Sequence, residues 1–495
     1  MQTSKTLQTV SFDWKPDKNS GVPLYVQIVR YVSGQVASGH WGVGTRLPPQ
    51  RNMAQALGVN RSTVVTAMEE LAAIGLVEGR GSGGTRIASD TWSVLLSGAA
   101  PDWGRYIRSG SFQANQPTVQ TINRLEFEDY VRLGTGELSP ALFPEEMMRR
   151  VLEKLARRTP PLHYLEPLGL PELRHVLSER LADQGITAPP SGILITSGSL
   201  QGLQLISVGI LSPSSRVFTE APTYLKSLQV FQSAGMSITG IPMDREGLFY
   251  RELERYQKAP GKNSENQLLY TIPSYQNPTG TLMSEERRAG LFEFCQKNRL
   301  PVIEDNAYSE LWLDSPPPAS LKARDKSGMV LSLGTLSKTL APGLRIGWIA
   351  GPESVVRRLG DIKMQTDYGA SSLSQWAAAE FLTSGLYDTY LHGLRKELRK
   401  RRAAALRVLA DYFIGLADWN VPEGGFYVWL RFKSSLSIDR LFKKALEHRI
   451  LLNPGSIYDF APNHALRISY AYEPPEVFRK AMKTLAELGR GLDSL

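Results

Sequence analysis

The sequence predicts a multidomain α/β protein: a small N-terminal unit of three helices and a β-hairpin, then a large body on a parallel sheet. Three observations predict it. The length, 495 residues, suggests two to four domains at roughly 100–200 residues each. The composition changes near residue 90, from short amphipathic stretches to a run rich in Ser, Gly, Asn and Gln. Beyond that run, GILIT, RVFTE, QLLYTIP, LPVIED, MVLSL and RIGWIAG alternate with longer helical patterns. Short buried strands spaced by helices are the mark of a parallel sheet. The expected division is 1–88 for the small unit, 89–125 for a linker and 126–495 for the large body.

Composition removes several classes. With 42% apolar and 21% charged residues the chain is neither disordered nor fibrous. Its one cysteine, Cys295, excludes a disulfide framework, a zinc-thiolate site or an iron–sulfur cluster within one chain. No metal site is expected. The opening MQTSKTLQTVSFDWK has no apolar run behind a basic cap. No stretch approaches the ~20 apolar residues of a membrane helix, so a cytoplasmic protein without membrane contact is expected. A net charge of +9 suits an anionic partner, but it is diluted over the whole length. Residues 1–90 carry nine Lys/Arg and six Asp/Glu. Position therefore matters more than the sum.

In PLYVQIVRYVSGQVASG, Leu24, Ile28, Tyr31 or Val32, and Gln35 or Val36 fall along one helical stripe. QRNMAQALG is a second short helix stopped by Gly58, and RSTVVTAMEELAAIG a third that ends at Gly75. In the third helix Val64, Met68 and Leu71 face inward, leaving Arg61, Ser62, Val65 and Thr66 outward. Two helices, a tight turn and a helix opening on N-R-S-T form a helix-turn-helix layout. LVEGRGSGGTRIA, apolar at both ends with a Gly-rich tip, reads as a β-hairpin wing.

Over residues 21–88 the pieces PLYVQI, TRLPPQRNMAQALGVNRSTV and ELAAIGLVEGRGSGGTRI resemble the winged helix-turn-helix of the GntR regulators. The resemblance implies double-stranded DNA as partner, the third helix in the major groove and the wing toward the minor groove. By position, Arg51, Asn60, Arg61, Ser62 and Thr63 would meet phosphates or base edges, with Arg80, Gly83, Gly84 and Thr85 at the wing. Pro49 stands where the family often has a capping Ser, and Val65 replaces a basic residue that some members use. The operator sequence is not carried over.

The large body holds a second constellation. SLGTLSKTLAPGLRIGW places Thr335, Ser337 and Lys338 just after a strand, with Arg345 seven residues beyond the lysine. VIEDNAYSE ends a strand in Asp305, with Tyr308 three residues on; YTIPSYQNPTG supplies Asn277, and EAPTYLKSLQVF supplies Tyr224. ILITSGSLQG passes from strand to helix through Gly198 and Ser199, where free N–H groups can hold an anion. All lie at the carboxyl ends of strands, where open α/β sheets bind ligands. Pyridoxal 5′-phosphate needs this set: a lysine for the Schiff base, a carboxylate at the ring nitrogen, a phenol and an amide for the 3′ oxygen. Its ring takes an aromatic face, and its phosphate takes an Arg, hydroxyls and N–H groups.

From about residue 126 onward the chain resembles a fold-type I aminotransferase, with Asn277 and Asp305 28 residues apart. The resemblance implies Lys338 as the Schiff-base lysine, Asp305 at the pyridine nitrogen, Asn277 and Tyr308 on the 3′ oxygen, and Tyr224 on the ring. Gly198, Ser199, Thr335, Ser337 and Arg345 would hold the phosphate. Tyr164 matches a tyrosine that reaches the phosphate across a dimer interface, and Arg467 an arginine that forks onto a ligand carboxylate. The basic runs RRVLEKLARR (149–158) and RKELRKRR (395–402) read as solvated faces that could widen a DNA surface. Lys226, two residues past Tyr224, stays outside the set.

A DNA reader fused to an aminotransferase-like body resembles the MocR subfamily of GntR regulators over nearly the whole chain. That implies a head-to-tail homodimer and a transcription regulator that senses an amino compound, or pyridoxal phosphate itself. A working aminotransferase with an accessory DNA-binding head is the alternative, since the residues needed for transamination are present. A purely structural DNA binder is poorly supported by so modest a charge on residues 1–90.

Overall fold

The computed structural model describes residues 10, 12–37, 40–79, 84–88, 115–158, 160–257, 267–433 and 436–493. They form two units, Met1–Gly110 and Ser111–Leu495. In the first, α1 (Leu24–Ala37), α2 (Gln50–Leu57) and α3 (Arg61–Ala73) precede β1 (Val77–Gly79) and β2 (Thr85–Ile87). Gly58 ends α2 in the left-handed region at φ 66°, a conformation a side chain resists. Ile28, Val32, Val36, Leu57, Val64, Met68 and Leu71 meet in one buried core. β1 and β2 pair antiparallel, Glu78 opposite Arg86. The Gly44–Leu47 segment adds an edge to β2, Leu47 N–H donating to Thr85 O at 2.9 Å. The sequence gives no sign of one feature: residues 12–14 pack back on α1, Trp14 stacking on Tyr31 at 4.6 Å and Phe12 edge-on to Trp41 at 5.5 Å.

The second unit is built on an eight-stranded sheet in the order β4-β11-β10-β9-β8-β5-β6-β7. Its strands are β4 (Ile193–Thr196), β5 (Arg216–Ala221), β6 (Ser237–Asp244), β7 (Gly247–Leu248), β8 (Gln267–Thr271), β9 (Val302–Asp305), β10 (Val330–Thr335) and β11 (Gly347–Ala350). Strands β10, β9, β8, β5 and β6 run parallel, as expected. β11 departs from the expectation, running antiparallel between β10 and β4. The reason is loop length: only residues 336–346 join β10 to β11, and a parallel return needs a crossover of a dozen residues or more. That short return carries Lys338.

A small lobe follows, with sheet order β12-β13-β16-β15 from β12 (Ala417–Trp419), β13 (Tyr427–Phe432), β15 (Asn453–Pro454) and β16 (Ala465–Ser469). β3 (Val131–Arg132) pairs with β14 (Ile450–Leu451), tying residues just past 126 to this lobe. The last nine residues of the expected linker are not irregular: Pro117–Leu125 is a helix, α4. Pro117 sits in its first turn, where a missing N–H costs nothing, and Ile122 and Leu125 bury against the body. Nine residues are too few for periodicity to stand out against the polar run before it. Residues 89–114 lie outside the described residues.

Candidate functional site

The strand order brings the carboxyl ends of β4, β5, β8, β9 and β10 to one edge of the sheet. Asp305 closes β9 opposite Leu333 of β10, and Thr335 of β10 lies opposite Gly347, which lies opposite Thr196. The Lys338 loop is folded by its own hydroxyls. Thr335 Oγ1 donates to Ile346 O at 3.0 Å and accepts the Ser337 N–H at 3.1 Å. Lys338 Nζ then reaches Gly136 O, 2.8 Å away. A Cβ on Gly136 would stand 3.0 Å from Tyr427 Oη, so a side chain there would press on that hydroxyl, with Lys338 Nζ in ordinary contact at 3.8 Å.

Asp305 is buried, its carboxylate accepting from Tyr270 Oη at 2.7 Å and from the Ala307 N–H at 3.1 Å. Burial raises its pKa above the usual carboxylate range, while those two bonds and nearby Lys338 pull the other way. Tyr308 Oη lies 2.9 Å from Tyr427 Oη and 3.4 Å from Asn277 Nδ2. Asn277 Oδ1 in turn accepts from Arg467 Nη1 at 2.8 Å. Arg467 is 4% exposed, and its Nε and Nη2 both donate to Gly134 O, at 3.1 and 2.6 Å. Its guanidinium carbon lies 4.4 Å from the Tyr427 ring centre and 4.7 Å from that of Tyr458. Positive charge is held here by oriented dipoles and aromatic faces.

A cavity of about 230 Å³ opens among Lys338, Asn277, Arg467, Tyr224, Tyr427 and Tyr458. The residues expected to hold a phosphate meet beside the Lys338 loop. Gly198, at φ 86°, caps α5 (Ser199–Gly209), whose first N–H groups have no intrahelical partner. Arg345, itself left-handed at φ 53°, donates from Nη2 to Ser197 O at 2.9 Å. A Cβ on Gly198 would stand 2.6 Å from Arg345 Nη2. Only glycine allows that guanidinium so close to the helix start.

Eleven of the twelve residues singled out in the large body thus gather around one sheet edge; Tyr164 does not join them. It is 78% exposed and leans on Tyr368, with ring centres 5.4 Å apart. Tyr270, Tyr427, Tyr458 and Gly136 belong to the site and were not singled out. Their contacts span large sequence separations, so no local pattern announces them. A larger cleft of about 610 Å³ is lined by none of those twelve residues. Its charges largely satisfy one another, Arg180 bonding Glu310 at 3.0 Å and Asp388 at 2.9 Å.

On the first unit, Arg51, Asn60, Arg61 and Ser62 are exposed and Thr63 is half-buried at the start of α3. Asn60 occupies the N-cap position, yet its side chain makes no capping bond. Pro49, with no side chain to cap α2, likewise makes none. Gly84 and Thr85 are half-buried at the wing; Arg80 and Gly83 lie outside the described residues. The two basic runs differ. Arg149 and Arg150 lie on the surface against Glu146. In 395–402, however, Arg401 Nη1 donates to Ala471, Tyr472 and Glu473 carbonyls and Arg402 pairs with Asp314. Arg401 and Arg402 clamp the body together, while Lys396, Arg399 and Lys400 stay on an exposed face.

Among the described residues no cluster of three or more His, Cys, Asp or Glu is placed to hold a metal. No described helix is long and apolar enough to cross a membrane.

Residues 128–485 match the aminotransferase class I and II family, and residues 24–87 match the bacterial regulatory proteins of the gntR family. The HTH-type transcriptional regulator YisV of Bacillus subtilis is 47% identical over 97% of this chain and 98% of its own. NorG, an HTH-type transcriptional regulator of Staphylococcus aureus, is 32% identical over 88% of this chain and 98% of its own. Among solved structures, the kynurenine aminotransferase of Pyrococcus horikoshii, in complex with PMP, superposes with TM-score 0.73 at 30% identity. It covers 77% of this chain and 95% of its own. The α-aminoadipate aminotransferase LysN of Thermus thermophilus, complexed with a phosphopyridoxyl-leucine, gives TM-score 0.71 at 28% identity, over 79% and 98%. The cofactor of this fold is pyridoxal phosphate, and the donor set around Lys338 suits it: a buried carboxylate, an amide–phenol pair, and a helix start beside an arginine. With both family matches on one chain and whole-length regulator relatives, the protein belongs to the GntR regulators that carry an aminotransferase class I and II domain, the MocR subfamily.

Proposed function

We propose that this chain is a cytoplasmic transcription regulator whose aminotransferase-like body holds pyridoxal 5′-phosphate and whose winged head reads operator DNA according to ligand state. One observation carries the reading. A lysine amine, a buried carboxylate and an arginine-anchored amide–phenol pair converge at the strand ends of a chain that also bears an exposed recognition helix. Lys338 holds the cofactor covalently, Asp305 keeps its ring nitrogen protonated, and Asn277 and Tyr308 take its 3′ oxygen. Tyr224 packs on the ring; Gly198, Ser199, Thr335, Ser337 and Arg345 hold the phosphate. Tyr164, exposed on one copy, serves the neighbouring copy's phosphate in a head-to-tail homodimer. Arg467 grips the carboxylate of an amino-acid-like effector.

When bound, the cofactor supplies an aldehyde for amines and an electron-withdrawing ring. The chain's part is orientation: Tyr270 and Ala307 aim the Asp305 carboxylate, and Gly134 and Asn277 fix the Arg467 fork. An effector shifts the DNA-binding state only by its preference for one arrangement over another, typically ~1–3 kcal/mol. On the DNA side, Arg51, Asn60, Arg61, Ser62 and Thr63 meet the major groove, with Arg80, Gly83 and Thr85 at the wing.

The purified protein is expected to be yellow, to lose that colour with borohydride while gaining the mass of the reduced vitamin, and to retain its own promoter fragment. A colourless protein free of that vitamin by mass spectrometry overturns the reading. The full set of residues also keeps transamination open as a second reading. Sustained keto-acid turnover without promoter retention selects it.

A further inference from the structure

Among the described residues three cations line the cavity, and they differ in how they are held. Arg467 is fixed by Gly134 O and Asn277 Oδ1, and Lys338 points at Gly136 O. Lys226, the second residue of α6 (Leu225–Ser233), is held differently. Its Nζ donates to one neutral amide oxygen, Asn123 Oδ1 of α4, at 2.7 Å. No carboxylate of the described residues lies within ion-pair reach of it. The cavity's two acids are partly engaged elsewhere. Glu126 accepts from Thr135 Oγ1 at 2.9 Å, and Glu137 pairs with Arg132 at 3.2 Å.

Helix α4 is the cavity's roof. Val119, Ile122 and Asn123 line the space directly. Two polar bonds join α4 and its leading residues to α6: Asn123 with Lys226, and Asn115 Oδ1 with Gln229 Nε2 at 3.3 Å. In chain order α4 is the first described element after the segment that leaves the winged head. A group that draws Lys226 away therefore removes one of the two polar bonds that hold the first described helix of the second unit.

We propose that Lys226 is a specificity-determining residue that reads a second carboxylate at the far end of the ligand, making the preferred effector a dicarboxylic amino acid. The competition between that carboxylate and Asn123 releases α4. The inference rests on the reading above, in which Arg467 takes the first carboxylate. Both bonds draw on the ammonium charge, but a carboxylate adds a full opposite charge that the neutral amide lacks, so the exchange favours the ligand. A monocarboxylic ligand offers Lys226 nothing and leaves the Asn123 bond in place.

The test uses full-length wild type, K226M and N123A. Calorimetry measures binding of L-glutamate, L-aspartate and L-alanine, and hydrogen exchange follows the amides of residues 117–125. Methionine keeps the aliphatic stem and removes the charge. K226M is expected to weaken glutamate or aspartate at least about tenfold and to leave alanine within about twofold. Glutamate is expected to speed exchange in 117–125 of wild type but not of K226M. N123A is expected to show that faster exchange without any ligand. Equal weakening of all three amino acids by K226M, or no weakening of any, overturns the proposal even in a yellow protein. The reverse pattern is separable: a colourless wild type that still discriminates through Lys226 leaves this proposal standing and removes the cofactor reading.

Discussion

The Lys338 cavity and the start of α3 solve opposite problems. In the cavity, polar groups are buried and already bonded: Arg467 spends its Nε and both Nη nitrogens on the protein, and Asp305 takes both of its donors from it. At α3 Asn60, Arg61 and Ser62 are exposed, and Asn60 leaves its helix uncapped. A small-molecule site gains from fixing its groups before the ligand arrives, because ordering them afterwards subtracts from affinity. A DNA reader must keep donors free for phosphates and base edges, and such contacts are made at a wet, charged surface. The lesson is that one chain separates rigidity from availability, so a change in either region should leave the other's basal behaviour intact.

The strongest way to break that separation is Lys338→Ala. It should abolish covalent cofactor and yellow colour, while gel-shift affinity of the ligand-free protein for its promoter stays unchanged. Loss of DNA retention in a folded variant contradicts the separation. Next comes Arg467→Ala, which strips Asn277 Oδ1 and Gly134 O of their donor inside a buried site. Hydrogen bonds to charged groups are worth about 1.5–3 kcal/mol each, so effector affinity should fall by roughly ten- to a hundredfold or more. Arg467→Lys should recover charge but not the fork, and little of the affinity.

A third variant tests how tightly the cavity is built. A Cβ on Gly134 would stand 2.2 Å from Asn453 Oδ1 and 2.5 Å from Asn453 Cβ. Turning the amide away would relieve the contact with Oδ1 but not the one with Cβ, the root of the side chain, so β15 itself must shift. Gly134→Ala should cost about 1–3 kcal/mol in thermal unfolding of the large unit. It should also displace the carbonyl that anchors Arg467. On the other side, Arg61→Ala should weaken operator binding by about 1–3 kcal/mol if it meets a base edge. If it meets a phosphate, the loss is uniform across sequences and the salt slope falls by about one. The visible spectrum should not move in either case.

What the sequence made legible follows the range of the interactions. Local rules placed α1 to α3, because an apolar stripe and Gly58 and Gly75 are read within a few residues. The strand ends placed Lys338, Asp305 and Asn277, because an α/β sheet offers its ligands one edge. The partners that complete the site were silent. Tyr270 meets Asp305 across 35 residues, Tyr427 meets Tyr308 across 119, and Gly134 meets Arg467 across 333. A tyrosine in a strand looks like core until the fold brings a second hydroxyl to it. The antiparallel β11 was hidden for a different reason: a strand's direction is set by its connection, and the connecting loop read as a cofactor motif. α4 was missed because nine residues within a polar run give periodicity too little to work on.

The smallest expected effect lies in the N-terminal unit, where Asp13 accepts a hydrogen bond from Tyr31 Oη. The bond from Tyr31 holds the Asp13 pKa below its ordinary value, and burial pushes the Tyr31 hydroxyl up to about 12. A carboxylate whose folded pKa is depressed stabilises the fold above its unfolded pKa and loses that contribution as pH falls through the folded value. The stabilisation should therefore be present at neutral pH and drain away on the acid side of about pH 4. Asp13→Asn should leave the neutral-pH melting temperature of the winged unit slightly lower and flatten its acid limb. Because Asp13 is fully exposed, solvent screens most of the interaction and the shift should be small. An acid limb equally steep in the variant would show that the segment is held by Phe12 and Trp14 alone, and that the aromatic stack, not the carboxylate, docks residues 12–14 onto α1.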